Sequence, residues 1–181
     1  MKKLSTEEMN RLSVGEFHRS PKLPLTVVLD NVRSQNNIGS IFRTADAFRV
    51  EHIALCGICS TPPHREIHKT ALGAEDSVAW SYHEDTAECV KGLKERGYKI
   101  YAVEQVDDSI KIGISNKELA IEGHPIAIVM GNEIEGVQES LLPLCDGSLE
   151  IPQYGTKHSL NVSCAAAIVI WEMFKKLRID S

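Results

Sequence analysis

Six short apolar runs recur along the chain at similar intervals: Leu25–Leu29, "HIALC" (52–56), "SVAW" (77–80), "KIYAV" (99–103), "IAIVM" (126–130) and "SLEI" (148–151). Runs this short and this continuously apolar suit strands buried on both faces. Helical patterns lie at 36–48, 86–96 and 138–145, and a last helix runs from about Ser159 to Leu177. Strands alternating with helices predict βαβ units, hence an α/β fold with a mostly parallel sheet flanked by helices. There is no internal repeat and no linker. One domain over 23–181 is expected, preceded by a short helical extension over 1–22. In that extension Ser5-x-x-Glu8 reads as the capping box of a helix over 5–14.

A chain of 181 residues holds one domain with a substantial core. No apolar stretch approaches the ~18 residues of a membrane span; the longest, Cys164–Trp171, suits a buried helix. The opening "MKKLSTEEMN" lacks the apolar segment of a signal peptide. The expected setting is cytoplasmic, with no membrane partner. Net charge is −5 but uneven, since residues 1–49 carry eight Lys/Arg against five Asp/Glu, or +3, leaving −8 for the rest. A locally basic region can contact phosphates within a Debye length of ~8 Å, although chance produces asymmetry of this size equally well.

Five cysteines, an odd number, argue against a disulfide framework. Cys56-x2-Cys59-x4-His64-x3-His68 has loose zinc-site spacing. Two prolines between the pairs, and the cysteines' place at a strand end, favour buried thiols instead, and no metal is expected. There is no G-x-G-x-x-G after the first strand, no G-x4-G-K-[ST], no Ser-His-Asp arrangement and no H-E-x-x-H. Ordinary dinucleotide, phosphate-loop and hydrolase chemistries are therefore disfavoured.

Three stretches carry more. In "NNIGSIFRTADAF" (36–48), placed at about 100° per residue, Ile38, Ile41, Phe42, Ala45 and Phe48 share one face. Arg43 falls opposite, among Asn36, Gly39, Ser40 and Ala47. A solvated arginine is one reading; the small neighbours also leave room for a ligand at the guanidinium. In "IAIVMGNEIEGV" (126–137) a strand ends at a glycine that allows a tight turn. Asn132, Glu133 and Glu135 then sit at the strand's carboxyl end, where α/β proteins form sites, or are merely solvated acids. In "LEIPQYGTKHSLNVSCAAAIVIWEM" (149–173) Ser159 is a plausible N-cap. The helix after it is apolar or small almost all round, as a subunit interface would require. His158 in that loop reads as exposed.

Together these stretches resemble the three motifs of the SpoU, or TrmH-like, RNA 2′-O-ribose methyltransferases. They are N-x-G-x-x-x-R-x-A (Asn37 to Ala45), G-N-E-x-x-G (Gly131 to Gly136) and I-P-x-x-G-x-x-x-S-L-N-V-S-x-A-A (Ile151 to Ala166). Order and spacing match the family, and the resemblance covers about residues 25–175.

The resemblance implies the SPOUT class, with a C-terminal α/β trefoil knot that nothing in composition or spacing predicts. It implies S-adenosylmethionine as cofactor, contacted at Val103, Gly131, Ile151 and Leu160, and a homodimer as the active form. It also implies catalytic roles for Arg43, Asn37, Glu133, Ser159 and Asn161. Methyl transfer to a ribose hydroxyl needs alignment above all, and help in removing a proton. Arginine stays protonated, so a bidentate clamp on the target's phosphate suits Arg43 better than the role of base. Asn37 would hold its geometry, Glu133 and Asn161 would order the loops around cofactor and ribose, and Ser159 would cap the last helix.

No separate RNA-binding domain is evident. Selection of a transfer or ribosomal RNA would fall to Arg11 and Arg19 in the extension, to the dimer surface, or to the loop 60–73 with Arg65 and Lys69 beside His64 and His68. Solvated loop is the competing reading there. At the level of the whole protein, the rival is a non-catalytic RNA-binding or regulatory dimer that keeps the cofactor pocket.

Overall fold

The longest apolar runs lie at the centre of the sheet, as burial on two faces demands. The computed structural model describes residues 1–5, 8–114, 119 and 123–177. In chain order the elements are α1 (Val14–Arg19), β1 (Leu23–Asp30), α2 (Gln35–Ala47), β2 (Val50–Cys56), α3 (Arg65–Ala71), α4 (Ala74–Ser77), β3 (Ala79–His83), α5 (Thr86–Glu95), β4 (Lys99–Val103), β5 (Ile110–Lys111), β6 (Ile126–Met130), a 3-10 helix (Glu139–Leu144), β7 (Gly147–Glu150) and α6 (Val162–Leu177). The strands form one seven-stranded sheet in the order β3-β2-β1-β6-β4-β7-β5. Every pairing among them is parallel.

Side chains alternate across β1, so Leu25, Val27 and Leu29 enter one core with Ile38, Ile41, Phe42 and Ala45 of α2 and Ala166, Val169, Ile170 and Met173 of α6. Val28 enters the other, with Val129, Cys89, Val90, Leu93 and Leu141. The sheet thus has helices on both faces, as the alternation of elements predicts. β6 inserts between β1 and β4 although it follows both in sequence. The carboxyl ends of β1, β4, β6 and β7 consequently open on one region.

Four expectations are corrected. Ser5 and Glu8 do exchange capping-box hydrogen bonds, at 2.7 and 3.2 Å, but only a turn follows at 8–10. Leu4, Met9 and Leu12 stay exposed, so no apolar face holds a helix there, and short helices need such packing. The helix instead starts at Val14, under a complete capping box of Ser13 and Glu16, and buries Phe17. The expected loop 60–73 contains α3, whose Ile67 and Ala71, four apart, are both buried. The expected strand at 77–80 begins at Ala79 and runs to His83; polar Ser81 and His83 on an edge strand hide its signal. The 138–145 segment is a 3-10 helix with Pro143 inside it.

Candidate active site

Three loops meet at the carboxyl edge of the sheet, and each is fixed by its own sequence. After β6 the chain turns on Gly131. A Cβ there would lie 2.1 Å from the backbone of Gly136 and Val137, so no other residue fits the turn. Asn132 and Gly136 close it with paired backbone bonds of 2.9 and 3.0 Å. Asn132 Oδ1 accepts the Ile134 N–H at 2.9 Å, and its Nδ2 donates to the Asn31 carbonyl at 2.8 Å. Gly136 has φ +71°, and a Cβ on it would meet Glu104 Oε2 at 2.1 Å. Glu104 in turn accepts the N–H groups of Val137 and Gln105, at 3.0 and 2.9 Å. Beneath the loop the fully buried Asp30 accepts from Thr86 Oγ1, Gln138 Nε2 and the Gln138 backbone at 2.7, 2.7 and 3.1 Å.

Glu133 projects from this turn to the start of α2. Its carboxylate accepts the Arg33 N–H at 3.0 Å, the Ser34 N–H at 3.0 Å and Asn37 Nδ2 at 2.9 Å. Burial alone would push this carboxyl up. The donors from Arg33, Asn37 and Ser34 outweigh it, and the pKa lies below the ordinary glutamate value. Asn37 Oδ1 then accepts Asn161 Nδ2 at 3.1 Å. Asn161 Oδ1 accepts the Ser163 and Cys164 N–H groups at 2.9 and 3.4 Å. Asn161, rather than Ser159, is therefore the residue that caps α6, because the helix starts three residues later than expected, at Val162. One relay, Asn161 to Asn37 to Glu133, joins all three motif stretches.

Beside the relay lies a cavity of about 620 Å³. Val103, Gly131, Ile151 and Leu160 all line it, and so do Glu133, Ser159 and Asn161. Asn37 stands behind Glu133. Arg43 is six residues beyond Asn37 on α2, about 9 Å along the axis, and does not line the cavity. It is exposed and has no ion-pair partner among the described residues. Its small neighbour Gly39 has a different cause from the one expected: a Cβ there would meet Thr70 Oγ1 at 2.1 Å and the Ile67 carbonyl at 2.3 Å. The glycine makes room for α3, not for a ligand.

Arg11, Arg19, Arg65 and Lys69 are all exposed. Lys69 is drawn 3.7 Å from Glu66, and Arg65 has no ion pair among the described residues. Cys56 and Cys59 are buried. His68 bonds to Glu75, not to the cysteines, and no group of three or more metal-type ligands occurs among the described residues. Asp30, Glu104 and Gln138 are the site residues that the sequence reading missed, whereas Asn132 stands where it was expected, at the carboxyl end of β6. A carboxylate at the very end of a buried apolar run, as Asp30 after Leu25–Leu29 and Glu104 after Lys99–Val103, was the available signal.

The chain resembles known proteins along this same frame. The model of the SpoU rRNA Methylase family matches residues 24–171. A tRNA (guanosine(18)-2′-O)-methyltransferase of Thermus thermophilus is 36% identical over 166 residues, which cover 91% of this chain and 81% of that one. A 23S rRNA (guanosine-2′-O-)-methyltransferase of Vibrio parahaemolyticus is 29% identical, covering 94% and 66%. Among solved structures, the TrmH/SpoU tRNA modifying enzyme of A. aeolicus superposes with TM-score 0.76 at 24% identity, over 90% of this chain and 81% of that one. An AdoMet-bound rRNA methyltransferase of Sinorhizobium meliloti superposes with TM-score 0.75 at 26% identity, over 89% and 62%. The family's match runs through every element from β1 into α6, and on that ground the chain belongs to the SpoU rRNA methylase family.

Proposed function

We propose that the chain transfers a methyl group from S-adenosylmethionine to a ribose 2′-hydroxyl of RNA, with transfer RNA as the substrate. The observation that carries this is the Asn161–Asn37–Glu133 relay beside the 620 Å³ cavity. Among the relatives, the one 36% identical acts on a tRNA guanosine, which supports the choice of RNA.

The cavity fits the cofactor. Its volume lies within the ~300–1,000 Å³ of small-molecule sites. Met130, Leu149, Val162 and Ala165 give an apolar wall, and Glu104, Glu135 and Glu150 give an acidic rim. An apolar wall suits the adenosine portion, and carboxylates suit a cation. When bound, S-adenosylmethionine supplies an electrophilic methyl group on a sulfonium. Val103, Gly131, Ile151 and Leu160 would hold it, largely through backbone groups at the ends of the strands.

Everything else is alignment by the chain's own residues. Glu133 pins the turn to the N-terminus of α2, so two walls cannot shift independently. Asn161 ties α6 to the same point. Arg43 clamps the phosphate beside the target ribose with its fork, and Ser159 borders the ribose. The clamped phosphate oxygen accepts the hydroxyl's hydrogen bond and orients it while its proton is released to water as the methyl group arrives. Arg11, Arg19, Arg65 and Lys69 contact the RNA backbone.

Half-exposed Ile168 (41%) and Trp171 (49%) on α6 support a homodimer, in which two chains complete the substrate surface. The insertion of β6 between earlier strands, and the return of 151–161 to α2, support a C-terminal knot. No helix is long and apolar enough to cross a membrane among the described residues; we assign the enzyme to the cytoplasm, where its RNA would be. Incubation with labelled S-adenosylmethionine and total RNA, followed by 2′-O-methyl mapping, tests the reading. Label in one tRNA ribose is expected. Cofactor binding with no transfer to any RNA would favour the non-catalytic alternative.

A further inference from the structure

A second cavity, of about 500 Å³, opens among α3, α4 and the start of β3, and it shares no wall residue with the first. Arg65, His68, Glu75 and Trp80 line it. Glu75 is only 9% exposed. Its Oε1 pairs with His68 Nδ1 at 2.6 Å, while its Oε2 is buried without any hydrogen-bond partner among the described residues. His68 is the reverse: its side chain is 69% exposed, and its Nε2 has no partner among the described residues.

A carboxylate behind a histidine fixes the ring. Nδ1–H donates to Glu75, so Nε2 faces outward, and in the imidazolium form that nitrogen donates as well. Burying a carboxylate oxygen with nothing to satisfy it works against folding. The two helices do not need the pair, since Ile67, Ala71 and Ala74 already pack into the core. The arrangement makes sense as a device that presents His68. Around it stand a partly exposed indole, Trp80, and an unpaired guanidinium, Arg65. An aromatic face beside two outward cationic or hydrogen-bonding groups suits an unstacked nucleotide, with its base on the ring and its phosphate on the cations.

We infer that this cavity is an accessory RNA site for one unstacked nucleotide, its base against Trp80 and its phosphate at Arg65 and His68, with Glu75 as a positioning residue for His68. The inference rests on the RNA-directed reading above, but its test separates the two. Trp80 and Trp171 are the chain's tryptophans, so Trp171→Phe leaves Trp80 as the only fluorophore of its kind.

Titration of that full-length variant with an unmodified tRNA transcript should quench Trp80 saturably. Adding His68→Ala or Arg65→Ala, both exposed positions where folding is not at stake, should raise the Kd about tenfold. In methyl transfer the same changes should raise KM by a similar factor and leave kcat within about twofold, and Glu75→Gln should follow His68→Ala in this split at smaller size. The site is refuted if Trp80 is silent at RNA concentrations that saturate the anisotropy of a labelled transcript. It is refuted equally if His68→Ala binds like the parent, or if guanosine monophosphate quenches as well as RNA. Quenching without any methyl transfer would keep this site and sink the enzymatic reading; methyl transfer with silent Trp80 would do the opposite.

Discussion

Two glutamates, Glu133 and Glu75, are handled in opposite ways by the fold. Glu133, in the turn after β6, is only partly buried, yet its carboxylate has three donors at 2.9–3.0 Å. Glu75, in α4, is almost wholly buried, yet one of its oxygens has none among the described residues. In the first region the hydrogen-bonding capacity is spent inside the fold, and the turn becomes a rigid frame. In the second it is left open, and the exposed His68 is what the carboxylate serves. A satisfied polar cluster fixes geometry for the fold, whereas a carboxylate with a donor on one oxygen only is retained for what that one bond positions.

The frame breaks most completely at its tightest point. Gly131→Ala puts a Cβ 2.1 Å from two backbone atoms of the turn, and neither can move without parting the Asn132–Gly136 bridge. Overpacking on this scale costs about 3 kcal/mol, and the displaced Glu133 leaves α2 unanchored. Methyl transfer and S-adenosylmethionine binding should both vanish, with a lowered midpoint in urea unfolding. Near-parental activity would mean the turn is soft and the comparison with α4 empty.

Arg43→Lys tests function without touching the frame. The side chain is exposed and unpaired among the described residues, so stability should hold within about 0.5 kcal/mol. A lysine keeps the charge but loses the fork. Turnover should fall about a hundredfold, on the scale of losing one aligned donor, with cofactor affinity unchanged by calorimetry. Retained turnover would overturn the clamp.

Much of this was readable from residues. The runs at 25–29, 52–56, 99–103 and 126–130 became central or near-central strands, because burial on two faces leaves an unbroken apolar signature. Asn37, Glu133 and Asn161 belonged together by motif, and the fold joins them. What stayed hidden had physical reasons. β3 is an edge strand with Ser81 and His83 in it, so polarity masked it. α3 follows two prolines and spans only seven residues, too short for a clear period. Ser5 and Glu8 carry a helix signal and make its bonds, but no core lies beneath them. Gly39 looked like space for a ligand, and only the position of α3 reveals that a helix fills that space.

Glu133→Gln removes charge and keeps shape. One amide oxygen still accepts, but the other position now presents N–H groups toward backbone donors. Charge-assisted hydrogen bonds are worth about 1.5–3 kcal/mol each; solvent screening at a partly exposed site brings the expected loss near 1–2 kcal/mol at pH 7. The sign with pH follows from the lowered pKa. A carboxyl depressed in the folded state contributes stability above its unfolded value of about 4.3, and that contribution is lost as pH falls through the folded value. The parent should therefore lose more stability than Glu133→Gln between about pH 5 and the acid limb. Parallel stability curves would remove Glu133 from the frame.

Glu75→Gln is the smallest effect and the sharpest contrast. The glutamine oxygen can take the place of Oε1 and accept His68 Nδ1, and the amide nitrogen replaces an oxygen that has no donor to lose. A fold-bearing carboxylate only 9% exposed would be costly to neutralise; one kept to orient His68 would not. Unfolding free energy should change by less than about 1 kcal/mol at pH 7, below the loss from Glu133→Gln, even though Glu75 is the more buried of the two. The same urea titrations decide it. If Glu75→Gln costs as much as Glu133→Gln, the carboxylate is holding α3 to α4 through His68, and the difference between the two regions is one of position rather than purpose.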